Sequence, residues 1–207
     1  MALNLSETKA KKSYPRIEDG TYVARIVRIL DFGKQVATDW KTGDIKYYDN
    51  GDPVVQHRVW IDFEFPTEQI ELDGVMRPKW VGKEYVVSAH EKAAIQALLK
   101  AADPGGKMTM KGRNVKGLLN LPLMVTIGST STGKAKVAAV SSLMKGMQVA
   151  DLANPTAFFD LDEGDTTVFE TLPQWMKDRI TTSVDFDETM FYKKNNTIDG
   201  LEEDTPY

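Results

Sequence analysis

The chain contains no cysteine, which excludes disulfide bonds and thiolate chemistry. Histidine is almost as scarce: His57 and His90 are the only two, too few for a histidine-based metal centre. No stretch approaches the roughly 18 consecutive apolar residues that cross a bilayer as a helix, and the first residues form no apolar leader. Together these absences point to a reducing cytoplasm as the expected compartment. Neither histidine belongs to a Ser-His-Asp or Cys-His arrangement, so the chain is expected not to be an enzyme and to need no cofactor.

What is present is an ordinary soluble composition with an uneven charge. The 207 residues are 42% hydrophobic and 27% charged, enough for one domain with appendages and a sizeable core. The net charge of −4 hides a division: residues 1–150 hold 22 Lys and Arg against 16 Asp and Glu, whereas residues 151–207 hold 4 against 14. A positive body joined to a negative tail is the layout in which a polyanion and the tail compete for one surface.

Residues 1–13, with Lys9, Lys11 and Lys12, read as a flexible basic arm. Alternation of β-branched residues predicts a strand over Thr21–Leu30, after which Gly33 opens a polar loop. The clearest strand is Val55–Phe65, with Val55, His57, Val59, Ile61, Phe63 and Phe65 on its apolar face and Gln56, Arg58, Trp60, Asp62 and Glu64 on the other. This places His57 among core residues. A hairpin is predicted across Asp73-Gly74, followed by a strand over Trp80–Val87. Ser88 and Glu91 form a capping-box pattern for a helix over 89–102, closed by Asp103-Pro104-Gly105-Gly106.

Two more strands, Leu121–Ile127 and Lys134–Val140, flank a Gly-rich turn. Strands interrupted by one helix predict a mainly β protein, a five-stranded OB-type barrel over residues 14–150 with one or two added helices. Residues 151–182 read as an acidic linker with a short helix packing on the barrel, and residues 183–207 as a disordered acidic tail.

The run Gly128-Ser129-Thr130-Ser131-Thr132-Gly133-Lys134 matches the first part of a phosphate-binding loop. Ala135 stands where a hydroxyl would hold Mg²⁺, and the residues beyond it alternate as a strand rather than opening a helix. The run is therefore read as a hairpin turn, and a nucleotide-dependent enzyme is disfavoured. The acid clusters at Asp160–Asp165 and Asp185–Glu188 lack calcium-loop spacing, so no metal is expected.

The stronger signal is basic and aromatic residues lying close together, because single-stranded nucleic acid needs cations for phosphates and flat rings for bases. Arg77, Lys79, Trp80 and Lys83 make one such group. Trp40, Lys41, Lys46, Tyr47 and Tyr48 make a second in the loop between the first two strands, and Arg58 and Trp60 share the non-core face of the central strand. Lys111 and Arg113, beyond the helix, and Lys134 and Lys136, at the last hairpin, complete the predicted set. In an OB fold the second and third strands and the first loop form the binding surface, so these positions are expected to converge.

Three runs carry a family resemblance. Tyr14-Pro15-Arg16-Ile17-Glu18-Asp19-Gly20-Thr21-Tyr22-Val23-Ala24-Arg25-Ile26-Val27 resembles the start of tailed-bacteriophage single-stranded DNA-binding proteins. Lys83-Glu84-Tyr85-Val86-Val87-Ser88-Ala89-His90-Glu91-Lys92 and Gly128–Val137 with Met144-Lys145-Gly146-Met147 are similar too. The final Glu202-Glu203-Asp204-Thr205-Pro206-Tyr207 resembles the acidic tip of such proteins, with Tyr207 where phenylalanine is usual. The resemblance implies an OB fold and coating of single-stranded DNA in phage replication or recombination, inside an infected bacterium. It also implies recruitment of replication or recombination proteins through Glu202, Glu203, Asp204, Pro206 and Tyr207. The reading from another class is a phage protein-interaction module, a DNA-mimicking inhibitor with no DNA affinity of its own.

Overall fold

The apolar alternation that starts at Gly20 carries the first strand, β1 (Gly20–Val36), past Leu30 and through Gly33 in a computed structural model of the protein. The structure describes residues 16–39, 41–106, 115–163 and 166–196. Gly33 does not end the strand. It sits at a register shift between Asp31 and Lys34 with φ +67°, and its N–H donates to Asp31 Oδ1 at 2.8 Å. A Cβ there would lie 2.8 Å from Ser183 Cβ and 2.9 Å from Leu161 Cδ1, so both the turn of the chain and the packing require glycine.

The second strand, β2 (Val55–Leu72), is longer than predicted, with Pro66 inside a register shift between Phe65 and Gln69 where no ladder N–H is needed. It turns at Asp73-Gly74, both at positive φ (52° and 79°), into β3 (Val75–Val86), the hairpin expected of that dipeptide. A helix follows, α1 (Ala94–Ala102), which starts five residues later than the capping-box pattern placed it. Ser88 Oγ accepts from the His90 N–H at 3.2 Å, and the Ser88 carbonyl accepts from Gln96 Nε2 at 2.7 Å. Ser88 thus holds a turn ahead of the helix instead of capping it. Ile95 and Leu98 are buried as the amphipathic pattern requires.

After a 3₁₀ turn at Val115–Leu118 come β4 (Pro122–Ser129) and β5 (Ala135–Ser141). The intervening turn is closed by Thr130 N–H to the Lys134 carbonyl (2.8 Å) and Gly133 N–H to the Thr130 carbonyl (2.9 Å). A strand therefore follows Lys134 where a phosphate-binding loop requires a helix.

The sheet runs in the order β3-β2-β1-β4-β5, each neighbour antiparallel, and is open between β3 and β5. A sixth strand, β6 (Ala157–Phe159), adds parallel to β1 from the stretch read as linker. The chain then forms α2 (Thr166–Glu170), α3 (Gln174–Thr181), a 3₁₀ turn at Phe186–Glu188 and α4 (Met190–Asn196). Residues 183–196 are thus folded, where composition predicted a disordered tail. Val184 N–H donates to the Lys34 carbonyl at 2.8 Å, and buried Phe191 packs on Phe159 and Phe169 with ring centroids at 5.1 and 4.8 Å.

Two cores follow from this arrangement. The first lies inside the curved sheet under α1 and holds Ile26, Ile29, Val59, Ile61, Phe63, Phe65, Leu98 and Leu123. The second lies on the outer face, where Leu30 and Phe32 of β1 meet Phe159, Leu161, Leu172, Met176, Ile180 and Phe191. The register shift between Ile26 and Arg28 switches the side of β1 that faces inward, so simple alternation could not assign its faces. A strand apolar on both sides needs cover on both. The chain beyond residue 151 supplies the outer cover. Among the described residues, no helix is long and apolar enough to cross a membrane.

Candidate nucleic-acid interface

The outer face of β2 and β3 is built in three cross-strand rows. Trp60 lies opposite Glu84, Asp62 opposite Gly82, and Glu64 opposite Trp80. Each tryptophan is tied at its indole N–H to a carboxylate on β2. Trp60 Nε1 donates to Asp62 Oδ1 at 2.8 Å, and Trp80 Nε1 donates to Glu64 Oε2 at 3.2 Å. Asp62 also accepts from Arg28 Nε at 2.6 Å, and the Arg28 guanidinium sits 5.5 Å from the centre of the Trp80 ring.

Gly82 makes room between the two rings. A Cβ at that position would lie 2.3 Å from Trp60 Cζ2 and 2.4 Å from Asp62 Oδ1. The Trp60 ring therefore lies over the backbone of β3, stacked on Phe32 (6.0 Å, 23°) and edge-on to Trp175 (5.3 Å, 75°). Glu64 is fully buried, and besides the Trp80 indole it accepts from the Ala153 N–H and Asn154 Nδ2, both at 2.7 Å. Arg25 holds the same crossing segment through Nε to the Ala150 carbonyl at 2.8 Å.

A groove of about 800 Å³ runs beside these rows, lined by Arg16, Trp60, Arg77, Lys79, Trp80 and Gly82 among others. Trp80 is 38% exposed there. Lys79 Nζ donates to the Arg16 carbonyl at 3.2 Å, and Arg16 donates to the Gly133 carbonyl at 2.9 Å and to Ser129 Oγ. Arg16 thereby ties the β4–β5 turn to the groove, which Ala135, between exposed Lys134 and Lys136, also lines.

The predicted residues do not all converge. Arg77, Lys79, Trp80 and Trp60 meet in the groove, whereas Lys134 and Lys136 are exposed on either side of the lining residue Ala135. Arg58 is occupied: it pairs with Glu84 and donates to Gln56 Oε1 at 2.8 Å. Lys83 bridges the open seam, its Nζ over the Tyr85 ring (5.2 Å) and 3.3 Å from the Val137 carbonyl oxygen. Burial, with Lys136 nearby, lowers the Lys83 pKa. Lys41, Lys46, Tyr47 and Tyr48 lie exposed on a ribbon between β1 and β2, held by bridges Thr38↔Ile45 and Tyr47↔Pro53. The base of that ribbon is nine residues along β2 from Glu64, or about 30 Å. Trp40, Lys111, Arg113, Glu202, Glu203, Asp204, Pro206 and Tyr207 lie outside the described residues.

The sequence reading missed Arg16, Arg28, Glu64, Gly82 and Trp175. Gly82 had a signal: an isolated glycine within a strand pattern marks a close approach by another group. Glu64 had none, because an acid on the non-core face of a strand reads as solvated.

His57, expected in the core, is instead half-exposed, because it lies near the start of β2, before the strand enters the first core at Val59. Its Nε2 lies 2.6 Å from Asp31 Oδ1. The hydrogen bond to Asp31 raises the His57 pKa against the opposing effect of burial, with Asp31, Asp185 and Asp160 adding attraction. A raised histidine pKa stabilises the fold fully below the unfolded value near 6.5, and that stabilisation is lost as pH rises through the folded pKa. His57→Gln is therefore expected to flatten the fall in melting temperature from pH 6 to pH 9. Identical profiles for variant and wild type would contradict the pairing.

The arrangement defines a mainly β, six-stranded sheet protein with an aromatic and basic groove along β3. Comparison with protein-family models, with curated proteins and with solved structures gives no match.

Proposed function

We propose that the protein is a non-enzymatic, sequence-tolerant binder of single-stranded DNA, and that the groove along β3 is where the strand lies. The observation that carries this is the pair Trp60 and Trp80, each tied at its N–H to a buried carboxylate. An indole with its only donor engaged offers a base nothing but a ring face, and every base has a ring face to stack on it. Arg16, Arg77 and Lys79 line the same groove and would take phosphates, with exposed Lys134 and Lys136 on either side of the lining residue Ala135.

The strand order β3-β2-β1-β4-β5, with α1 between β3 and β4, supports an OB-type barrel. In that reading β3 and β5 are its closing edges, spanned by the Lys83 contact with the Val137 carbonyl. The resemblance to phage single-stranded DNA-binding proteins supports a role in coating DNA during replication or recombination. The acidic tip would recruit partners.

The test is a titration with oligo-dT and with an equal-length duplex, followed by tryptophan fluorescence and gel shift at low and moderate salt. The expected result is quenching by the single strand alone. The logarithm of the binding constant should fall with the logarithm of salt at roughly −0.7 per phosphate neutralised. No gel shift at low salt would overturn the reading and favour an interaction module that binds protein instead.

A further inference from the structure

Residue Trp175 stands in the first turn of α3 and is 51% exposed, although its neighbour Met176 and Ile180 one turn on are buried in the second core. The helix is therefore fixed while this ring remains available. The ring meets Trp60 edge-on at 5.3 Å and 75°, and Phe32 at 6.4 Å and 88°. A single exposed aromatic needs no explanation. This one continues a series of rings that already runs from Trp80 across Gly82 to Trp60.

A cation accompanies it. Residues 175 and 179 are four apart and share a helix side. Arg179 Nη2 lies 3.5 Å from Glu84 Oε1, the carboxylate that also pairs with Arg58. Two guanidinium groups on one carboxylate leave a positive excess beside the outer row of β3.

We propose, resting on the single-stranded DNA reading, that α3 is part of the binding surface. Trp175 supplies a stacking platform for a further base beyond those at Trp80 and Trp60, and Arg179 contacts the adjoining phosphate. The helical segment beyond residue 151 then has two roles: it covers the second core and lengthens the DNA path along β3 towards Val86.

The experiment compares the full-length wild type with Trp175→Ala, Trp175→Phe and Trp80→Ala, using oligo-dT of increasing length. Trp175→Ala is expected to weaken binding of the longer oligonucleotides about fivefold or more, the loss of one stacked base. It should leave the shortest bound species unchanged, and Trp175→Phe should restore most of the loss. Trp80→Ala should weaken binding at every length. Ultraviolet cross-linking of 5-iodouracil-substituted oligonucleotides to the wild type, with peptide mapping, keeps the proposal testable if Trp175→Ala is unstable. A cross-link to the peptide carrying Trp175 is expected.

If wild type binds and Trp80→Ala weakens it, while Trp175→Ala binds as wild type at all lengths, the inference fails and the DNA reading stands. Absence of that cross-link from a wild-type complex has the same consequence. If the wild type binds no single strand, the DNA reading itself fails.

Discussion

Replacing Gly82 with alanine is expected to lower stability by about 1–3 kcal/mol through overpacking and to weaken oligo-dT binding with it. In a domain of this size each kcal/mol is read as roughly 2–4 °C of melting temperature. The cause is steric, because Gly82 is not in the left-handed backbone region and alanine fits its φ. The new methyl would stand 2.3 Å from Trp60 Cζ2 and 2.4 Å from Asp62 Oδ1, closer than any packing allows. Trp60 cannot move aside freely: Phe32 backs one face, Trp175 blocks an edge, and Asp62 holds its N–H. It must lift into the groove, and the spacing between the two platforms is lost. Gly128→Ala is the matched control. Its methyl would meet only Ala138 Cβ at 3.6 Å, so that variant should be neutral or gain up to about 1 kcal/mol. Equal melting temperatures for Gly82→Ala and wild type would show that Trp60 is not held as described.

The same glycine shows how much of the protein was legible in its sequence. The hairpin at Asp73-Gly74, the central strand, the last two strands and the apolar face of α1 all follow from local alternation and turn chemistry, and all are present. The errors have a common origin in the outer cover. Phe159, Phe186 and Phe191 are scattered among acids, and their periodicity is too short to reveal a folded segment. They form a core only because Leu30 and Phe32 of β1 wait for them on the outer face. That face could not be read from β1 itself, since the shift at Ile26/Arg28 reverses its alternation. The site was legible in residue type and not in place. Trp60, Arg77, Lys79 and Trp80 come together as expected. Arg58 is spent on Glu84, and the Tyr47-Tyr48 ribbon stands at the far end of β2. Such partnerships depend on long-range register, which one sequence does not display.

Glu64 gives the sharpest remaining test, because electrostatics and geometry assign opposite signs to its removal. A buried carboxylate beneath the groove proposed for DNA would repel phosphates, so on charge alone Glu64→Ala should tighten DNA binding. The geometry says otherwise. Glu64 is fully buried and accepts from three donors: the Trp80 indole, the Ala153 N–H and the Asn154 amide. Each donor left unsatisfied away from water costs about 1–3 kcal/mol. Trp80 and Asn154 recover part of this by turning to solvent, which leaves an expected loss on the order of 3 kcal/mol. A turned Trp80 is no longer a fixed platform, and the crossing segment at 149–154 loosens with it. Oligo-dT affinity should therefore fall despite the lost negative charge, at low and at moderate salt alike. Glu64→Gln should fall less but in the same direction. Its NH₂ must replace one of two oxygens that both face N–H donors, so one donor is always opposed. Melting curves and oligo-dT titrations of the two variants decide the matter. Tighter DNA binding by Glu64→Ala would make the carboxylate an electrostatic brake on the groove rather than the anchor of its principal ring.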